Sequence, residues 1–133
     1  MGVNALRPCL LVLDDDRDLG VLLSRWLADI GDVRTATTSA QALVLASVLQ
    51  PQLALIDIVL PRMDGFAVLE AVRRMPGLAG MPIILMTGSS RADIQVRATS
   101  AGAGDVLFKP LDEDRVRSSV RALLKAASSP FIG

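Results

Sequence analysis

The chain has 133 residues, about half hydrophobic and a fifth charged, which suits one globular domain with a core of its own. Fourteen basic residues balance fourteen acidic ones, so there is no overall basic surplus for gripping a nucleic-acid backbone, and no direct nucleic-acid contact is expected. Histidine is absent, which excludes an imidazole-based triad and a phosphohistidine relay within the chain.

Met1 to Pro8 lacks a basic stretch followed by an apolar one, so no secretion signal is read there. No apolar run approaches the roughly 20 residues of a membrane span. The one cysteine, Cys9, cannot form an intrachain disulfide and reads as a buried small apolar side chain opening a strand. These features predict a cytoplasmic domain with no membrane contact.

In chain order, Leu10–Leu13 is an uninterrupted apolar run, as expected of a strand buried on both faces. Asp14, Asp15 and Asp16 follow it. Leu19, Leu22, Leu23, Trp26, Leu27 and Ile30 share a helix face, with Gly31 in the position just past a helix end and Asp16 suited to cap the start. Val33–Ala36 alternates and predicts an edge strand. A second helix is expected over 39–49, with Ser39 as N-cap and Pro51 beyond it. Its Leu43, Val44, Leu45, Val48 and Leu49 are apolar on more than one face, which fits either a contact surface or a partly buried helix.

Leu53–Ile56 is the next apolar run, followed by Asp57, and Asp64 with Gly65 opens a helix over 65–74. Ile83–Met86 is followed by Thr87, and a helix is expected over 91–101. Val106–Phe108, a further apolar run expected to be buried on both faces, is followed by Lys109-Pro110. Asp112 then caps a last helix running to about Ala127, with acids in its first turn and Arg121 and Lys125 near its end. Five strand–helix repeats predict an α/β fold: a doubly wound five-stranded parallel sheet, order 2-1-3-4-5, with five helices on both faces.

In such a sheet the strand ends of one sense lie along one edge. Asp14, Asp15, Asp57, Thr87 and Lys109 are thereby gathered into one cleft. Two carboxylates about 5 Å apart repel by roughly 3 kcal/mol at an effective dielectric near 20. Lys109 offsets only one charge, so a hard divalent cation is the expected occupant, and Mg²⁺ suits few carboxylates beside a phosphate. An ammonium and a hydroxyl are the groups expected around phosphoryl oxygens. An alternating Asp14-x-Asp16-x-Asp18 also invites a calcium-loop reading. It fails, because Leu19 and Arg25 stand where Gly and Glu are required.

Four segments, LLVLDDDRDL at 10–19, LALIDIVLPRMDG at 53–65, IILMTG at 83–88 and AGAGDVLFKP at 101–110, together resemble the receiver domain of bacterial two-component response regulators. The resemblance implies one receiver domain over 1–133, with a core of about 9–127 and short tails. It implies that Asp57 is phosphorylated. Asp15 would hold Mg²⁺ directly, Asp14 largely through water, and the Val59 backbone carbonyl would complete the metal site. Thr87 and Lys109 would contact the phosphoryl oxygens, and Lys109-Pro110 would be a cis peptide. Implied partners are a sensor histidine kinase or phosphotransfer protein and a downstream protein meeting the 91–127 face, with the chain a monomer or weak dimer. Few residues follow Lys125, so output would pass through protein contact unless a longer parent chain exists.

This sequence departs from the family where receivers usually place Tyr or Phe three residues before the lysine. Val106 stands there, and Leu111 replaces a frequent aromatic after Lys-Pro. An interaction module working without phosphate is therefore a second reading. A third is a Mg²⁺-dependent phosphohydrolase with an aspartyl nucleophile. Its Asp-x-Asp-x-Thr/Val mark is broken by Asp18, and no cap domain is visible.

Overall fold

A computed structural model describes residues 7–127; the Met1–Leu6 lead and the Ser128–Gly133 tail lie outside the described residues. The elements alternate along the chain. They are β1 (Cys9–Leu13), α1 (Arg17–Trp26), β2 (Asp32–Ala36), α2 (Ser39–Leu49), β3 (Leu53–Asp57), α3 (Gly65–Arg73), β4 (Ile83–Thr87), α4 (Ala92–Ser100), β5 (Asp105–Phe108) and α5 (Glu113–Ala127). The sheet is parallel throughout in the order β2-β1-β3-β4-β5, as the strand–helix repeats predict.

The uninterrupted apolar runs are sorted by the two-residue period of a strand. Leu10, Val12, Leu53, Leu55, Ile84, Met86 and Leu107 face one core with Leu23 of α1, Leu27 just past its end, and Val116 and Val120 of α5. Leu11, Leu13, Ala54, Ile56, Ile83, Leu85 and Val106 face the other, with Ala42 and Ala46 of α2, Phe66 and Leu69 of α3 and Ala98 of α4. Both faces are covered, so β1, β3 and β4 carry no charged side chain before their carboxyl ends.

Four local expectations need correction. α1 stops at Trp26, and Gly31 is not its C-terminal cap. The chain turns after Leu27 so that the Asp32 N–H can reach the Pro8 carbonyl (2.8 Å) and start β2. Gly31 is needed there because a β-carbon would lie 2.5 Å from the Pro8 carbonyl oxygen. The cap of α2 is Thr38, not Ser39: the Thr38 hydroxyl accepts from the Gln41 N–H (3.1 Å), and the Gln41 side chain accepts from the Thr37 N–H (3.0 Å). This is a variant of the capping box, a Thr followed by Gln three residues on. The run ending at Phe108 is an edge strand, not one buried on both faces, and Phe108 is 42% exposed. Cys9 opens β1 but is only half-buried. Asp16, Asp64 and Asp112 do accept from N–H groups in the first turns of α1, α3 and α5.

On α2, Leu43, Leu45 and Leu49 are half-buried, while Val44 and Val48 are 62% and 72% exposed. The helix is both partly buried and apolar toward solvent.

Candidate functional site

The site forms where β1, β3, β4 and β5 end. β1 and β3 are neighbours although α1, β2 and α2 intervene, so the chain leaves them toward opposite faces and a cleft opens between their carboxyl ends. Asp14 directly follows β1 and stays in register through its N–H to the Ala36 carbonyl (3.2 Å). Asp57 is the last residue of β3 and Thr87 the last of β4. Lys109 directly follows β5, and its N–H bonds the Thr87 carbonyl (2.7 Å). The Lys109–Pro110 peptide is cis, as the resemblance implied.

Asp14 and Asp57 are buried, with 2% and 5% exposure, whereas Asp15 is exposed. One carboxylate oxygen from each of Asp14, Asp15 and Asp57 lies within 4.8 Å of the others. The Lys109 Nζ donates to Asp14 Oδ2 (2.7 Å) and Asp57 Oδ2 (3.2 Å). Asp14 Oδ1 accepts from the Asp16 N–H (2.9 Å), and Asp57 Oδ1 from the Val59 N–H (3.3 Å). The Val59 side chain itself is 71% exposed. Thr87 Oγ1 accepts from the Ser89 N–H (3.0 Å), which fixes the first residues after β4.

Burial and then the Asp14 carboxylate hold the Asp57 carboxyl above its ordinary range, against the pull of Lys109 and the Val59 N–H. Burial works against the Lys109 ammonium, but its bonds to Asp14 and Asp57 prevail and raise its pKa. Three carboxylates and one ammonium leave a surplus of negative charge at an all-oxygen cluster. That donor set fits a hard divalent cation and not a soft one.

A family model of the response regulator receiver domain matches residues 10–121. The chain belongs to that family. Receiver domains are phosphoacceptor signalling switches of two-component systems, working with histidine kinases or phosphotransfer proteins. The receiver domain of a putative Luxo repressor protein from Vibrio parahaemolyticus is similar, with a TM-score of 0.85 and 31% identity over 92% of this chain and 93% of that one. So is a response regulator from Chloroflexus aurantiacus, at 0.83 and 28%, over 89% and 98%. Among curated relatives, the DNA-binding dual master transcriptional regulator RpaA of Synechocystis is 35% identical over 89% of this chain and 49% of its own length. The transcriptional regulatory protein PrrA of Mycobacterium tuberculosis is 35% identical over 97% and 55%. The chain thus spans about half the length of these curated relatives.

All the receiver residues picked out in the sequence meet at this one edge. Asp14, Asp57 and Lys109 are joined directly, Asp15 approaches from solvent, and Thr87 is tied to Lys109 through the backbone. Val106, where this receiver lacks an aromatic, is buried in the core with Phe66 and Ala98. No helix among the described residues is long and apolar enough to cross a membrane. Ser39 is not a cap: its hydroxyl donates to the Met63 carbonyl (2.7 Å). The Thr38–Gln41 spacing was the signal that assigned the cap elsewhere.

Proposed function

We propose that Asp57 is the phosphoacceptor and that Asp15, Asp14, Asp57 and the Val59 carbonyl hold Mg²⁺, Asp14 largely through water. The observation that carries this is the buried Asp57 carboxylate, bonded to Lys109 and within 4.8 Å of two further carboxylates. When bound, the cation supplies positive charge against the phosphoryl oxygens.

An Asp57 oxygen forms the new O–P bond while the P–N bond of a donor phosphohistidine breaks. The electron pair stays on the imidazole nitrogen, which takes its proton from solvent. The chain's own contribution is positioning and charge. The Val59 N–H orients the Asp57 carboxylate. Lys109, already between Asp14 and Asp57, neutralises charge arriving on the phosphoryl oxygens, and Thr87 donates its hydroxyl to one of them. The hydroxyl can donate while it still accepts from the Ser89 N–H, so its inward movement carries the loop ahead of α4 with it.

Readout by a downstream protein is assigned to the 91–127 face. There α4 buries only Ala98, and Val96 and Phe108 are exposed. The domain works in the cytoplasm as a switch, without turnover of outside substrates. The module reading, in which phosphate is not used, rests on Val106.

Incubation with acetyl phosphate and Mg²⁺ followed by intact mass tests the proposal. The parent chain should gain one phosphoryl group and Asp57→Asn none. No gain in the parent would favour the module. Continuous release of product from a generic phosphate ester would favour the phosphohydrolase.

A further inference from the structure

Because Thr38 caps α2, the hydroxyl of Ser39 is free for another bond. It is buried and donates to the Met63 carbonyl (2.7 Å), across to the loop that joins β3 to α3. Both ends of that loop are pinned by backbone bonds. The Ile58 N–H reaches the Met86 carbonyl (2.9 Å), and the Gly65 N–H reaches the Ile58 carbonyl (2.8 Å). Its middle carries one local backbone bond, from the Met63 N–H to the Pro61 carbonyl (2.8 Å), and, among the described residues, none to a neighbouring element. Arg62 holds a φ of +71°, a region that non-glycine residues avoid. A groove of about 640 Å³ runs between the loop and the first turn of α2, lined by Ala40, Leu43, Leu60, Pro61 and Met63 among others. Side-chain packing is interrupted there. Among the described residues, the Ser39–Met63 bond is the side-chain hydrogen bond that ties α2 to this loop.

We infer that Ser39 is a positioning residue for the metal site. Its hydroxyl, through the Met63 carbonyl, sets the path of residues 58–63 and with it the Val59 backbone that meets Asp57. This rests on the reading that Val59 and Asp57 help hold Mg²⁺. Loss of the hydroxyl leaves a strained loop free to settle elsewhere, so the donors are no longer pre-placed and the cation binds more weakly.

The test is a magnesium titration of ¹⁵N-labelled protein followed by amide NMR, on the parent, Ser39→Ala, Ser39→Thr and Thr38→Ala. Ser39→Ala should raise the Mg²⁺ Kd three- to tenfold, on the order expected of one net hydrogen bond, and move the amides of Val59, Leu60, Arg62 and Met63 without metal. Ser39→Thr should restore the Kd to within twofold. Thr38→Ala should lower the urea midpoint yet leave the Kd within twofold, which separates positioning from general stability. An unchanged Kd in Ser39→Ala, a rise that Thr does not restore, or an equal rise in Thr38→Ala would overturn the inference alone. No magnesium response in the parent would overturn the metal reading and the inference with it.

Discussion

The backbone carbonyl oxygen of Asp57 occupies the space a β-carbon at Gly65 would need. The first residue of α3 is thus pressed against the peptide of the proposed phosphoacceptor, and the reason for glycine is room, not an unusual φ. Backbone cannot yield as a flexible side chain can. Gly65→Ala should cost about 2–3 kcal/mol in urea unfolding, and it should weaken Mg²⁺ binding in the same samples.

Asp57 should make the metal-free protein pH-sensitive. Its carboxyl titrates above the unfolded value, so between the unfolded and folded values the folded state holds more of this proton than the unfolded chain does. The stability from this group therefore falls as pH rises from about 4 through the folded pKa, and stays reduced above it. Asp57→Asn in EDTA should be more stable than the parent at pH 7 by on the order of 1 kcal/mol. The advantage should vanish near the unfolded carboxylate pKa. Urea midpoints at the two pH values check both statements.

Lys109 answers for two buried carboxylates. Its folded pKa is raised, so its stabilisation is complete below about pH 10.4 and is lost as pH rises through the folded value. Lys109→Met should cost about 2 kcal/mol without metal, less than for a fully buried pair because the lysine reaches solvent. Magnesium should then raise its melting temperature more than the parent's. Thermal scans with EDTA and with Mg²⁺ measure the difference.

Away from the site, Asp105 ties β5 to α5. It accepts two bonds from Arg115 (2.9 and 3.1 Å) and one from the Ser119 hydroxyl (2.5 Å). Burial alone would raise its carboxyl, but these bonds win and lower it. Its contribution is present above about pH 3.9 and is lost as pH falls through the lower folded value. Asp105→Asn should cost about 1 kcal/mol at pH 7, a deficit that closes in acid, as thermal unfolding across that range would report.

The strands of this fold were legible because a parallel sheet covered on both faces admits only apolar side chains. Leu10–Leu13, Leu53–Ile56 and Ile83–Met86 stand out as runs, and the polar residue after each marks the open edge. Edge strands are less distinct. Val106–Phe108 reads like a central run, and only its place at the end of the sheet shows that Phe108 meets solvent.

Short-range chemistry within one element was therefore written in the chain: strand runs, helix order, the capping roles of Asp16, Asp64 and Asp112, and the residues at each strand end. What needed the folded chain was every choice set by a distant neighbour. Asp14 is buried and Asp15 exposed although they adjoin, because Asp14 lies against Lys109. Gly31 answers to Pro8 and Ser39 to Met63. Local propensity depends on the few residues that share a turn, whereas these contacts exist only after the sheet has brought remote segments within hydrogen-bond or van der Waals reach.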